Sequence, residues 1–164
     1  MDAVSYPDER VIDFLEENVV ACRVPSNAQP LSSEYGIKWT PTLVLLDHEG
    51  REHYRTVGFI PPEELVPSLL LGIAKAHFNR DEHGDALKAL DRILQDYPQC
   101  DEAPEAIYMQ GICLYKNTRN AWQLREAYER LLAEYPSTAW YKRAYPYRLL
   151  ERSPHMREEE RKAA

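Results

Sequence analysis

Cysteine, histidine and positive charge are all scarce in this chain, and each scarcity excludes something. Three cysteines stand apart at Cys22, Cys100 and Cys113, with no Cys-x-x-Cys and no metal-ligand spacing. So sparse and odd a count gives no disulfide framework and suits a reducing compartment. Five histidines (His48, His53, His77, His83 and His155) are scattered. Apart from the polar run Asp81-Glu82-His83, none stands near a cysteine or carboxylate at ligand spacing, so they read as solvated loop residues and no metal is expected. Lysine and arginine number 20 against 27 acids, a formal net charge of -7. Nucleic acid needs a basic face, so it is not an expected partner. The basic residues between Arg119 and Arg130 are interleaved with acids and read as a solvated helix face. No apolar run approaches the roughly 20 residues that span a bilayer, so no membrane partner is expected either. The start, MDAVSYPDERV, lacks the basic and apolar regions of a secretory signal, which places the chain in the cytoplasm by expectation. Gly-rich phosphate loops and nucleophile elbows are missing, so no cofactor and no catalytic residue is assigned.

What is present fits one compact domain, or two small ones sharing a core: 164 residues, 44% of them hydrophobic. The stretch Tyr35 to Gly58, YGIKWTPTLVLLDHEGREHYRTVG, carries the longest apolar strand signal and the best turn signal. Before it, Asp8 to Asn18 reads as an amphipathic helix with Asp8 as N-cap. Asn18 to Val24 is valine-rich and predicts a short strand. Gln29 to Tyr35 predicts a short helix closed by Gly36 in a left-handed conformation. Thr42 to Asp47 is apolar on both faces, which predicts a buried strand. His48 to Arg51 is a hairpin turn, and Glu52 to Val57 alternates like a strand near an edge. Pro62-Glu63-Glu64 then opens a long helix. The order is α/β, with one parallel crossover and one antiparallel hairpin.

This order resembles the C-terminal two-thirds of the thioredoxin fold, over roughly residues 1 to 75. The resemblance rests on Tyr35-Gly36-Ile37, Trp39-Thr40-Pro41-Thr42, the strand to Asp47, Glu49-Gly50-Arg51, Gly58 and Glu63-Glu64-Leu65. It implies a cis peptide before Pro41. It also implies a substrate- or peptide-binding loop at Trp39, Thr40 and Pro41, whose backbone receives an extended segment beside redox cysteines. The family's cysteine pair and the strand before it would lie ahead of Met1. Three outcomes follow by expectation. The strands at Val19 to Val24 and Thr42 to Leu46 pair directly, a second copy fills the gap as a homodimer, or the natural protein starts further upstream.

The remainder is helical and repeats itself. Ala89 to Pro98 reads ALDRILQDYP, and Ala127 to Pro136 reads AYERLLAEYP. Each closes on Tyr-Pro, where proline stops the helix. Their partners are Leu65 to Phe78 and Ala103 to Tyr115. These pairs resemble tetratricopeptide repeats, with Ala74, Ala86 and Gly111 at tight crossings and Lys116 to Ala121 as a long loop. Ala139 to Leu150 reads as a capping helix, kinked or broken at Pro146. The expected fold is thus α/β plus α: a partial thioredoxin-like sheet, then an antiparallel helix-pair stack. The expected domains are 1–62, with a helix over 62–78 shared with the repeats, then 63–150, then a charged, disordered tail over 151–164.

Among single residues, Cys22 and Cys113 read as small buried hydrophobes. Cys100 reads as an exposed loop residue whose acidic neighbours raise its thiol pKa. Tyr97, Tyr115, Tyr128 and Tyr135 sit at repeat positions and read as packing. Trp140, Tyr141, Tyr145 and Tyr147 form the better candidate for contact with a protein partner. The function expected is a non-catalytic interaction or scaffold module. The alternative is a thiol-disulfide oxidoreductase whose Cys-x-x-Cys precedes Met1.

Overall fold

Asp8 starts the first helix as its side chain predicts: in extended backbone, its carboxylate accepts the Arg10 N–H at 3.0 Å. That helix, α1, is Glu9–Asn18 in the computed structural model, which describes residues 1–151. It is followed by α2 (Leu31–Glu34), β1 (Thr42–Leu46) and β2 (Glu52–Val57). The helical part comprises α3 (Pro62–Asn79), α4 (His83–Asp96), α5 (Ala103–Thr118), α6 (Trp122–Glu134) and α7 (Ala139–Ala144), closed by a 3₁₀ turn at Tyr145–Leu149. This is a partial thioredoxin-like sheet followed by a stack of antiparallel helices. Of the charged tail, only Glu151 lies within the described residues.

The sheet is the antiparallel pair β1–β2, in the register Thr42↔Val57 to Leu45↔Tyr54, with an irregularity after Leu45. Two expectations fail here. Asn18 to Val24 is not a strand, so there is no parallel crossover and no direct pairing with β1. Valine content favours a strand only where a neighbouring edge can take up the backbone hydrogen bonds. This segment has no such edge, and Val20 is 99% exposed. It is tied to the chain by the Asn18 and Val19 bonds to the end of α1 and by an exposed ion pair from Arg23 to Asp2. Nor is β1 a buried central strand: its residues are half-buried, with Leu46 exposed. One of its edges pairs with β2; the other carries no strand among the described residues.

The interior is organised on α3, a helix buried almost all round. Leu65, Val66, Leu69, Leu70, Leu71 and Ala74 join Val11 and Phe14 of α1 and Leu90 and Ile93 of α4 in one apolar cluster. Leu43 and Tyr54 of the sheet pack against the same cluster. Gly72 sets how close the sheet comes, since a Cβ there would lie 2.8 Å from Tyr54 Cδ1. At the start of the chain, the buried Ser5 hydroxyl donates to Ile60 O at 2.5 Å, pinning the first turn to the lead-in of α3.

The stack follows the repeat read from the sequence. Ala74 and Ala86 are fully buried. A Cβ on Gly111 would lie 2.5 Å from Ala127 Cβ, so α5 and α6 cross in tight contact. The Tyr135 hydroxyl donates to Pro98 O at 2.6 Å, so the second Tyr-Pro turn is bonded to the first. The loop between α5 and α6 is shorter than expected: α5 runs to Thr118 and closes on Arg119 at φ 58. The capping helix breaks at the proline. Thr138 caps α7 by accepting the Tyr141 N–H, and the chain tightens to 3₁₀ around Pro146, which has no N–H to donate.

Candidate functional site

The Thr40–Pro41 peptide is cis. Pro41 O accepts the Gly58 N–H at 2.8 Å, and the Thr42 hydroxyl donates to Trp39 O at 2.7 Å. With Thr42 opposite Val57, these bonds gather Trp39, Pro41, Val57 and Phe59 at one end of the hairpin. Three of them stand in solvent: Trp39 is 75% exposed, Phe59 58% and Val57 54%. Thr40 is exposed and Pro41 half-buried. Beside this apolar patch runs the edge of β1 that carries no strand among the described residues.

The other end of the hairpin is locked. The Asp47 side chain is shut off from water. It accepts the Arg51 Nε–H and a bond from His53 Nε2, each at 2.9 Å, and the N–H groups of Glu49 and Arg51. These bonds, that from His53 foremost, hold its carboxyl well below the usual range. Asn79 Nδ2 lies 3.0 Å from His53 Nδ1, which ties the turn to the end of α3. With the Asn79 amide donating, the His53 proton is assigned to Nε2, facing Asp47.

The cysteines are arranged differently from expectation. Cys22 is exposed, because the segment that carries it is no strand. Cys100 is buried, 7% exposed, because the loop between α4 and α5 folds back against the first turn of α3. Cys113 is buried as expected. Burial pushes the thiols of Cys100 and Cys113 up to about 11, so neither supplies much thiolate at neutral pH. Cys100 also has company that the sequence did not announce. Its sulfur and carboxylate oxygens of Glu64 and Glu102 all lie within 4.8 Å of one another. Burial, with Glu64 beside it, pushes the Glu102 carboxyl up to about 7. No local motif links a residue of α3 to the loop between α4 and α5, so no signal in the sequence marked this contact.

The aromatic candidates at the end of the stack face inward more than outward. Trp140 and Tyr147 lie against Tyr108, at ring-centroid distances of 5.3 and 5.9 Å. Tyr141 stacks on the buried Tyr128 at 5.8 Å, and Tyr145 meets both edge-on. Arginines cover the outer faces, with Arg143 4.4 Å from the Trp140 ring and Arg148 3.8 Å from the Tyr145 ring. Arg125 donates to Arg148 O and fastens the cap to α6. The packing reading holds for Tyr128, which is buried.

The two halves together define a class: a thioredoxin-like domain continued into tetratricopeptide-like helices. Family comparison agrees, with a thioredoxin-like domain matched over residues 5–71. The outer membrane lipoprotein family YfiO matches residues 61–151, more than half of the chain, and the chain belongs to that family. The two matches overlap over residues 61–71, at the start of α3. No curated protein and no solved structure matches the chain. Among the described residues, no helix is long and apolar enough to cross a membrane.

Proposed function

We propose that the chain is a non-catalytic protein-interaction module that receives an extended segment of a partner protein at the Pro41 end of its hairpin. The observation that carries this reading is the exposed patch of Trp39, Val57 and Phe59 beside the open edge of β1. A strand laid on that edge gains main-chain hydrogen bonds, and the aromatic side chains supply apolar contact. Trp39, Thr40 and Pro41 are the binding residues in this reading. The helical stack supports the interaction role, with Trp140, Tyr141, Tyr145 and Tyr147 as a second contact region around the exposed Tyr145. The division proposed is 1–62 for the sheet portion and 63–150 for the repeats, sharing the helix over 62–78. We place the protein in the cytoplasm, on the strength of its free thiols; the family's description as outer membrane lipoprotein is the rival placement, and cell fractionation separates the two.

An insulin-reduction assay on the 164-residue chain is expected to show no turnover. Turnover above the dithiothreitol background overturns the non-catalytic reading in favour of a thiol-disulfide oxidoreductase. Sedimentation distinguishes a partner's strand from a second copy on the β1 edge. A monomer at high concentration is expected, and a dimer replaces the partner protein with a homodimer.

A further inference from the structure

We propose that Glu64, Cys100 and Glu102 form a binding site for a divalent cation of the zinc class. The three come from two places that the fold presses together: the first turn of α3, and the loop leading from α4 into α5. Their donor atoms lie within 4.8 Å of one another. In a filled tetrahedral site with metal–oxygen bonds of about 2.1 Å and a metal–sulfur bond of about 2.3 Å, donors sit roughly 3.5 Å apart. Modest side-chain rotation closes that difference.

A second observation points to a ligand. Glu102 Oε2 is shut off from water and no donor is placed on it, while the Glu64 carboxyl and the Ser68 hydroxyl stand against the same side chain. Two carboxyl groups brought this close repel one another when both are ionised, and a cation between them offsets that cost. No lysine or arginine forms an ion pair with Glu64 or Glu102 among the described residues. Cys100, more than nine-tenths buried, brings its sulfur to the same point. The loop is held for the task. Asp101 N–H donates to Glu64 Oε2 at 3.0 Å, and the Cys100 N–H donates to Tyr97 O at 3.1 Å.

The donor set selects the metal. One thiolate with two carboxylates suits zinc, cobalt or cadmium, whereas magnesium and calcium take oxygen donors. Three protein ligands leave a fourth position for water. On binding, the Cys100 thiol gives up its proton to solvent, as does any proton held between the Glu64 and Glu102 carboxyls; a sulfur lone pair and carboxylate lone pairs make the metal bonds, and no electron is transferred. A second cluster on the surface does not share these features. In the group His77, Glu82 and Asp85, His77 Nδ1 bonds Glu82 at 2.7 Å, Arg80 holds Glu82 at 2.6 Å, and Lys88 holds Asp85 at 2.7 Å. Every ligand there is already paired.

The test uses the full chain, stripped with a chelator and titrated with cobalt(II). One equivalent is expected to give a near-ultraviolet thiolate-to-cobalt band with visible bands of a tetrahedral ion, and zinc is expected to displace it. Cys22→Ser is expected to leave the bands intact, which excludes the exposed thiol. Cys100→Ser is expected to abolish the near-ultraviolet band, and Glu102→Gln to weaken cobalt binding at least tenfold. X-ray absorption on the wild-type zinc complex needs no variant, and is expected to show one sulfur at about 2.3 Å with oxygen neighbours. A wild-type chain that binds no stoichiometric cobalt overturns the proposal. So does a band lost in Cys22→Ser, or a zinc complex with no sulfur neighbour.

Discussion

Asp47 takes two side-chain and two backbone hydrogen bonds at the hairpin turn, and its lowered pKa is the energetic record of them. A carboxyl whose folded pKa lies below its unfolded value of 3.8 contributes stability that is fully present above that value. The contribution is lost as pH falls through the folded value. Asp47→Asn is therefore expected to lower the urea midpoint at pH 7, with the gap to wild type closing as pH drops below about 4. An equal gap at pH 7 and pH 3 contradicts this account of the turn. Gly72 governs closeness in place of charge. Gly72→Ala puts a methyl 2.8 Å from the Tyr54 ring, and overpacking of this kind costs about 1–3 kcal/mol. Chemical denaturation is expected to show that loss, with Tyr54→Ala in the same chain relieving part of it. At this scale the sequence was legible where chemistry is local. Asp8 as a cap and Gly36 at φ +58 depend on neighbours only. Cys22 and Cys100 were misread because burial of a loop residue depends on what the loop folds against, which no window of sequence contains.

Among elements, α3 and the Tyr-Pro turns were legible and the sheet was only half so. Helices close their own hydrogen bonds, so a periodic pattern and a stop signal suffice to place them. The repeat ALDRILQDYP/AYERLLAEYP even foretold that two turns are equivalent, and the bond from Tyr135 to Pro98 O joins them. Tyr135→Phe is expected to cost about 1 kcal/mol, the net worth of one hydrogen bond. A thermal melt of the variant that overlays wild type removes the bond from the account. Strands close their hydrogen bonds on other strands. The valines at Val19, Val20 and Val24 carry strand propensity, but no edge stands beside them. The apolar run at Thr42 to Leu46 reads as buried on two faces, yet its outer edge is open. Trp39, Thr40 and Pro41 are named from the sequence by the resemblance of their loop, whereas Val57 and Phe59 are not. Phe59 and Val57 join it only through the register of the hairpin.

The whole molecule is joined through α3, which packs on α1 and both strands and also begins the helical stack. The apolar cluster around α3 meets the second cluster, between α5, α6 and α7, through Leu94 and Tyr135, which implies shared stability. Circular dichroism, which follows the helices, and tryptophan fluorescence are expected to report one coincident unfolding transition. Two separated transitions contradict the shared core. The turn end of the hairpin is anchored to α3 through Asp47, His53 and Asn79. The most direct test of the interaction reading is the affinity of an extended peptide, selected against the full chain from a random display library, for wild type and for Trp39→Ala. Trp39 is 75% exposed, so its loss leaves the core untouched. The expected result is a peptide that binds wild type and binds Trp39→Ala at least tenfold more weakly. Selected peptides that bind both forms equally contradict the reading.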